Sequence, residues 1–309
     1  MEQTILSIKN LVKRYGSAVT NAVDDISFDV YAGELFCLLG VNGAGKSTTI
    51  NMVCTLVEKT SGHVSLGGLT LGHDDSAIRR SIGVVFQGNV LDGALTAGEN
   101  ILSRAAFYGL DQTQAKRRLA YLAERLSMTS FLGRRYEKLS GGQRRKCDIA
   151  RALLAEPKIL FLDEPTTGLD PQSRIELWET IEDIRKADNM TVFLTTHYME
   201  ETEGADRVAI IDNGKVLCID TPQRLKTEYS TDMLRLVVKN GRHTEVEQLL
   251  QTMVPEQYTL VADTYIVKMK HGIDAIDFLP QMKPYLDSFE MEKGDMDSVF
   301  LNVVGRRAE

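Results

Sequence analysis

The sequence predicts an α/β protein with a doubly wound parallel-sheet core, followed by a small α+β domain. Five short runs are apolar at nearly every position: ELFCLLG (34–40), IGVVFQ (82–87), KILFLD (158–163), TVFLTT (191–196) and DRVAIID (206–212). Strands covered by helices on both faces have this pattern. Stretches of helical period, such as KSTTINMVCTLV and PQSRIELWETIEDIRKA, lie between them, and the alternation argues for parallel strands joined by crossover helices. After residue 230 the order becomes strand, helix, two strands, helix, strand.

Taken in order, the first 35 residues alternate apolar and polar side chains, as Ile26, Ser27, Phe28, Asp29 and Val30 do. That period of two predicts antiparallel strands with one solvated face. Residues 97 to 130, AGENILSRAAFYGL and TQAKRRLAYLAERLSM, have helical period and no strand nearby, and predict a helical insertion. The helical subdomain is expected over about 88–150, within a first domain of residues 1–225. The polar segment TPQRLKTEYSTD marks a break. The second domain, 230–309, contains DMLRLVVKN, HTEVEQLLQTM, EQYTLVAD, TYIVKMK, IDAIDFLPQMKPYL and SFEMEKG. That βαββαβ order is the split pattern of a ferredoxin-like domain. Pro280 and Pro284 weaken its second helix.

Composition excludes several classes. The chain has 309 residues, 43% hydrophobic and 26% charged, with a net charge of −7. An acidic balance argues against a protein that coats nucleic acid, which needs clustered cations. Cys37, Cys54, Cys147 and Cys218 are scattered and contain no Cys-x-x-Cys pair. They read as reduced thiols of a cytosolic protein rather than a disulfide framework or metal site. MEQTILSIKNLVKRYG lacks an apolar core with a cleavage site, so no signal peptide is expected. No run nears 18 consecutive apolar residues, so no transmembrane segment is expected. His243 and His271 have no metal-ligand neighbours and read as surface residues. Met269, Met282, Met291 and Met296 read as core filler.

GVNGAGKST, Gly40 to Thr48, fits G-x-x-x-x-G-K-[ST] through Gly40, Gly45, Lys46 and Ser47. It follows an apolar strand and opens a helix. Glycines let backbone N–H groups turn inward toward phosphate oxygens. Lys46 supplies a point charge to the β- and γ-phosphates, and the Ser47 hydroxyl ligates Mg2+. KILFLDEP ends a buried strand at Asp163, with Glu164 next. Ligands of open α/β sheets sit beyond the carboxyl ends of strands. Asp163 is therefore placed to hold Mg2+ through its water shell, and Glu164 to face the γ-phosphate. LSGGQ, Leu139 to Gln143, adds a second loop of phosphate-binding type at a helix start.

With these motifs, the chain resembles the ATP-binding cassette (ABC) ATPases. LSGGQ matches the family signature. Gln87 stands at the glutamine loop, TGLD (167–170) supplies Asp170, TTH (195–197) supplies His197, and Tyr15 in VKRYG stands where the family stacks a ring on adenine. These motifs, in order over residues 4–220, carry the resemblance. It implies the cassette fold, a parallel core with an antiparallel β subdomain and a helical insertion. It also implies ATP as substrate and Mg2+ as metal.

The resemblance further implies head-to-tail pairing of two cassettes, most simply a homodimer, in which Ser140, Gly141, Gly142 and Gln143 of one copy cap the nucleotide of the other. Tyr15 would stack on adenine. Gly40, Asn42, Gly43, Ala44, Gly45, Lys46, Ser47 and Thr48 would surround the phosphates. Ser47, Gln87 and Asp163 would serve the metal. Glu164 would be general base, His197 would steady the γ-phosphate, and Asp170 would couple the two sites.

Within the family, LDGALTAGENILSRAAFYGL, TGLDPQSRIELWETI, TTHYMEETEGADRVAIIDNGK and the ending DMDSVFLNVVG are similar to the single-cassette subunits of daunorubicin-resistance-type exporters. That implies a peripheral subunit on the cytoplasmic face of the cell membrane, bound to a separate integral permease through residues 88–135 and the Gln87 loop. The tail 230–309 is read evenly as a regulatory or dimer-stabilising module, or as packing surface. Three other readings keep the ATP chemistry or the ligand: a soluble cassette ATPase of repair, translation or cofactor assembly, an importer subunit, and a non-transporting drug-sequestering protein.

Overall fold

The computed structural model describes residues 3–305 except 89 and 256. The chain divides into two compact units, Met1–Ile219 and Asp220–Glu309.

The first unit opens with β1 (Thr4–Lys13) and β2 (Val23–Tyr31), joined by the loop that carries Tyr15. Then come β3 (Leu35–Leu39), α1 (Lys46–Val53), β4 (Ser61–Leu66), β5 (Leu69–Thr70), α2 (Asp75–Ser81) and β6 (Ile82–Val85). The helical insertion follows as α3 (Ala97–Leu102), a 3-10 turn Ala105–Tyr108, and α4 (Gln112–Arg125). The long helix suggested by AGENILSRAAFYGL is thus two short pieces, ended by Gly109 in the left-handed region at φ 73°. Then come α5 (Gly141–Leu153), β7 (Ile159–Asp163), α6 (Pro171–Asp188), β8 (Thr191–Thr196), β9 (Arg207–Asp212) and β10 (Lys215–Asp220).

All five apolar runs form strands of one six-stranded sheet in the order β10-β9-β3-β8-β7-β6. The pairs β3–β8, β3–β9, β7–β8 and β6–β7 are parallel. Every residue of β3, β7 and β8 is buried, which is why these strands read as continuous apolar runs. The alternating N-terminal segment lies in a four-stranded sheet, β2-β1-β4-β5, with β1 antiparallel to β2 and β4. One apolar cluster joins the inner faces of both sheets, including Ile8, Ile26, Phe36, Ile50, Phe161 and Phe193. Phe36 stacks on Phe28 and Phe193 at 5.1 and 5.5 Å between ring centres.

The topology brings the carboxyl ends of β3, β7 and β8 side by side, because these strands are adjacent and parallel. The loops carrying Lys46, Glu164 and His197 leave from those ends.

The second unit contains α7 (Pro222–Tyr229), β11 (Asp232–Val238), α8 (His243–Met253), β12 (Tyr258–Val261), β13 (Thr264–Met269), α9 (Ala275–Met282), β14 (Leu286–Glu292) and α10 (Met296–Gly305). Its sheet has the order β12-β13-β11-β14, antiparallel throughout. Leu234, Leu236, Tyr265 and Val267 bury one face under Val246, Leu250, Phe278 and Met282. Met269, Met282 and Met296 are buried and Met291 packs against the same core. Pro280 sits inside α9, and Lys283–Tyr285 forms a 3-10 turn containing Pro284. The helix suggested for residues 273–286 is shortened there, because proline cannot donate a backbone hydrogen bond. Helix α7 lies in this unit, on the far side of the boundary from where a break at 225 would put its first residues.

Candidate functional site

The loop between β3 and α1 is shaped by what its glycines allow. At Gly45, φ is 107° and a Cβ would stand 2.5 Å from the Ala22 carbonyl oxygen. At Gly40 a Cβ would stand 2.4 Å from the Ile211 carbonyl oxygen. Only glycine meets both demands. Helix α1 starts at Lys46 with no side-chain cap and no acidic residue in its first turn. Its free N–H groups and positive dipole end therefore face the loop.

Lys46 folds back over this loop. Its Nζ donates to the Gly40 carbonyl at 2.8 Å and the Val41 carbonyl at 3.1 Å, and lies 3.2 Å from Glu164 Oε1. Ser47 Oγ donates to Asp163 Oδ1 at 3.1 Å, and Thr195 Oγ1 donates to the same oxygen at 2.6 Å. Glu164 follows with φ 47°, a left-handed conformation that is costly for a non-glycine residue. Its backbone N–H donates to the Thr195 carbonyl at 3.0 Å. Its Oε2 accepts from Gln87 Nε2 and Thr167 Oγ1, each at 3.3 Å, and lies 3.1 Å from His197 Nδ1. Burial opposes ionisation of Glu164, but the Lys46 ammonium and the hydrogen bonds from Lys46 and His197 outweigh it and hold the carboxyl below its ordinary value.

The fold thus gathers Lys46, Ser47, Gln87, Asp163, Glu164 and His197 into one cluster. Asn42 and Gly43 are exposed on the loop, Ala44 is buried, and Thr48 is half-buried in the first turn of α1. Tyr15 is 45% exposed with Lys13 Nζ 4.8 Å from its ring centre. It presents an open aromatic face and touches none of the cluster.

The signature loop is elsewhere. Ser140 caps α5, its hydroxyl accepting from Gln143 N at 3.3 Å while Gln143 Oε1 accepts from Ser140 N at 3.1 Å. This reciprocal capping box gives Gln143 a structural role that the motif alone does not show. Gly141 and Gly142 bring α5 against the start of α6, where a Cβ would lie 3.3 Å from Leu169 and 3.1 Å from Ser173 Oγ. Asp170 caps α6 through Ser173 N at 2.9 Å and Ser173 Oγ at 2.6 Å. Those two bonds pull its carboxyl below the ordinary range. A hollow of about 350 Å3 over these helix starts is lined by Ser140, Gly142, Gln143, Lys146, Ser173 and Glu176, among others, with no residue of the Gly40–Thr48 loop. Among the described residues, no bond of Ser140–Gln143 reaches that loop.

Several partners of the cluster were given no role by the motifs: Thr195 of TTH, which fixes both Asp163 and the Glu164 backbone, Thr167 of TGLD, and Arg145, which lies outside every motif. Arg145 of α5 donates to the carbonyls of Phe86 at 2.6 Å and Gln87 at 3.2 Å. It ties the signature helix to the glutamine loop of its own chain. Buried hydroxyls at strand ends and a half-apolar arginine stem are invisible to spacing.

The donors suit phosphate and a hard cation. The Ser47 hydroxyl, the Asp163 carboxylate and the Gln87 amide offer oxygens of the kind Mg2+ takes, and Ser47 and Asp163 already converge. Among the described residues, no group of three His, Cys, Asp or Glu side chains could cage a metal.

The pattern of the ABC transporter family matches residues 23–167. The chain is also 34% identical over 310 residues to the linearmycin resistance ATP-binding protein LnrL of Bacillus subtilis, across 98% of this chain and 99% of that one. The chain belongs to the ABC transporter family. This ABC subunit is 34% identical to the daunorubicin/doxorubicin resistance ATP-binding protein DrrA of Streptomyces peucetius, over 98% of the subunit and 93% of DrrA. Among solved structures, cbiO1 of Clostridium perfringens, part of the transporter complex cbiONQ, superposes with a TM-score of 0.69 at 26% identity, over 82% of the subunit and 97% of cbiO1. The dimeric bacterial cassette MJ0796 superposes with a TM-score of 0.64 at 27% identity, over 70% and 98% of the two chains. MJ0796 is also known in a post-hydrolysis state with ADP and phosphate. The ABC subunit is an ATPase of this family. No helix of its described residues is long and apolar enough to cross a membrane.

Proposed function

We propose that this chain is the ATP-hydrolysing subunit of an exporter, docked at the cytoplasmic face of the membrane on a separate integral permease that carries a drug, antibiotic or other amphipathic molecule. The observation that carries this reading is the extent of the match to LnrL. It runs through the C-terminal unit to nearly the full length of both chains, where a cassette-only likeness would stop near residue 220. In that unit, the βαββαβ order and the sheet order β12-β13-β11-β14 support a ferredoxin-like module.

The chemistry follows from the cluster. The α1 N-terminus and Lys46 bind the phosphates of ATP. Bound Mg2+, held by Ser47, Gln87 and Asp163, supplies charge neutralisation on the phosphates. Glu164, kept ionised by Lys46 and His197, accepts the proton of the attacking water as general base. His197, beside it, steadies the γ-phosphate. Tyr15 offers its exposed ring to adenine. Ser140, Gly141 and Gly142 cap the phosphates bound to a second copy, as the resemblance to the family implies; that the hollow over them includes no residue of the Gly40–Thr48 loop of their own chain supports this reading. Asp170, at the start of α6 beside them, couples the two sites. Closure of that dimer by ATP does work on the permease only through its higher affinity for the closed state.

The test is recovery of the tagged, gently crosslinked protein from cells at native abundance. A polytopic membrane protein recovered from the membrane fraction supports the exporter reading, with drug sensitivity then naming the cargo. Recovery of ribosomes, DNA-bound proteins or an assembly scaffold sinks it and favours a soluble cassette ATPase. A permease whose loss blocks uptake makes the chain an importer subunit.

A further inference from the structure

We propose that Glu201 is a positioning residue of the ATPase reaction, a buried carboxylate that holds the loops bearing Glu164 and His197 in fixed register. The inference rests on the roles of Glu164 and His197 given above.

Glu201 lies in the 3-10 turn Met199–Thr202 that follows β8, and is only 6% exposed. Its two oxygens are engaged separately. Oε1 accepts from Thr166 Oγ1, and Oε2 accepts from Thr196 Oγ1 at 2.5 Å. Thr166 stands two residues beyond Glu164, and Thr196 stands one residue before His197. The Thr196 hydroxyl also accepts from Tyr198 N at 2.9 Å. It therefore bridges His197 from the residue before it to the residue after it. Both threonines are wholly buried.

A carboxyl at this depth is unfavourable unless hydrogen bonds satisfy it: burial raises the Glu201 pKa, against the hydrogen bonds from Thr166, Thr196 and the Trp178 indole and the Arg174 charge. The turn itself needs no acid, since Thr202 Oγ1 already bonds to the Met199 carbonyl at 2.7 Å. What the carboxylate adds is a rigid planar link between two loops. Each oxygen fixes one loop, and the group's fixed width fixes their separation. Glu164 needs such support, because its backbone is held in the left-handed region. Thr195 anchors it on the N-terminal side through the Glu164 N–H. Glu201 anchors it on the C-terminal side through Thr166. The 3.1 Å approach of His197 Nδ1 to Glu164 Oε2 is the geometry this double anchor sets.

The experiment is steady-state ATP hydrolysis by the full-length chain carrying Glu201→Ala, Glu201→Gln, Thr166→Val or Thr196→Val, with melting temperatures. Misplacing reacting groups by a fraction of an ångström to one ångström lowers kcat by about 10- to 100-fold while KM for ATP stays within about twofold. That split is expected for Glu201→Ala. Glu201→Gln keeps the shape and one acceptor, and recovers part of the loss. Combining Thr166→Val with Glu201→Ala costs little more than Glu201→Ala alone, because one broken link already frees the loop. Ile181→Ala, which opens a void under the buried face of α6, serves as a control that lowers the melting temperature and leaves kcat unchanged below it. If Glu201→Ala fails to fold, the two threonine variants carry the same expectation. The proposal is overturned if the folded variants keep wild-type kcat, or if their loss is no greater than that of Ile181→Ala at equal loss of melting temperature. Glu164→Gln, assayed alongside, separates the two levels. If it is inactive while Glu201→Ala is active, only this inference fails. If it is fully active, the assignment of Glu164 fails first.

Discussion

Lys46 Nζ lies 3.2 Å from Glu164 Oε1, with the two side chains 3% and 7% exposed. The lysine proposed to bind phosphate and the carboxylate proposed to activate water thus form a buried ion pair, and a phosphate reaching Lys46 would compete with Glu164 for the same ammonium. A buried pair broken on one side leaves an uncompensated charge, so neither residue can be altered without moving the other.

Glu164→Gln removes the proposed acceptor for the water proton and its negative charge. Turnover is expected to fall by about 100-fold or more, with ATP bound at least as tightly as by wild type and an ATP-dependent dimer that persists. Phosphate release and light scattering with ATP check both halves. Normal turnover would show that Glu164 is not the base.

Lys46→Met tests the pair from the other end. The folded pKa of Glu164 lies below its ordinary 4.5. The stability it contributes is therefore present above the unfolded value and lost as pH falls through the lower folded one. Without Lys46 the folded pKa moves up, so the variant loses less stability than wild type between about pH 5 and pH 3. ATP affinity drops as well. Chemical unfolding at a series of pH values measures the first effect, and nucleotide titration the second.

Asp148 of α5 has the opposite sign. Burial raises its pKa to about 6, against the pull of Arg145, Arg151 and the Tyr136 hydroxyl. A carboxyl whose folded pKa exceeds its unfolded value disfavours the fold increasingly as pH rises from the unfolded to the folded value. Asp148→Asn, which does not titrate, should gain stability relative to wild type from about pH 4 to pH 6 and hold a constant difference above that. A difference independent of pH would show that Asp148 titrates normally.

Gly142→Asp and Lys46→Ala together test which chain supplies the second phosphate loop. Each variant alone should be nearly inactive. In a head-to-tail dimer, a mixed pair has one site with both defects and one site with none. Mixing equal amounts therefore restores roughly a quarter of wild-type hydrolysis, half of the dimers being mixed and half of their sites intact. No recovery on mixing, with subunit exchange verified, would mean that the signature loop acts within its own chain.

Much of this was legible because local chemistry dictates it. The strand before Lys46 is apolar at every position and the strand that ends at Asp163 is apolar up to that residue, and that is readable without a fold. The glycines at 40 and 45 mark backbone that must approach other backbone closely. LSGGQ was legible as a capped helix start, although the reciprocal bond that engages Gln143 was not. The alternation that announces β1 and β2 says nothing of α10, whose packing partner α7 lies some seventy residues earlier in the chain. The run 273–286 reads as one helix by period, yet α9 tolerates Pro280 and ends at Met282, with Pro284 in the 3-10 turn that follows.

The sequence by itself determined the elements and the chemical types at the site: a glycine loop with a lysine, an acid pair at a strand end, and a histidine after another strand. Those depend on spacing along one strand or one turn. Only the tertiary structure decided that Lys46 and Glu164 neutralise each other, that Thr195 holds Asp163, that Arg145 grips the glutamine loop, and that Glu201 joins Thr166 to Thr196. These contacts form because β3, β7 and β8 are neighbours in the sheet while standing more than a hundred residues apart in the chain between β3 and β7. Hydrogen bonds act over about 3 Å, so a partner that far away in sequence leaves no periodic trace, and only the packed sheet brings it within reach.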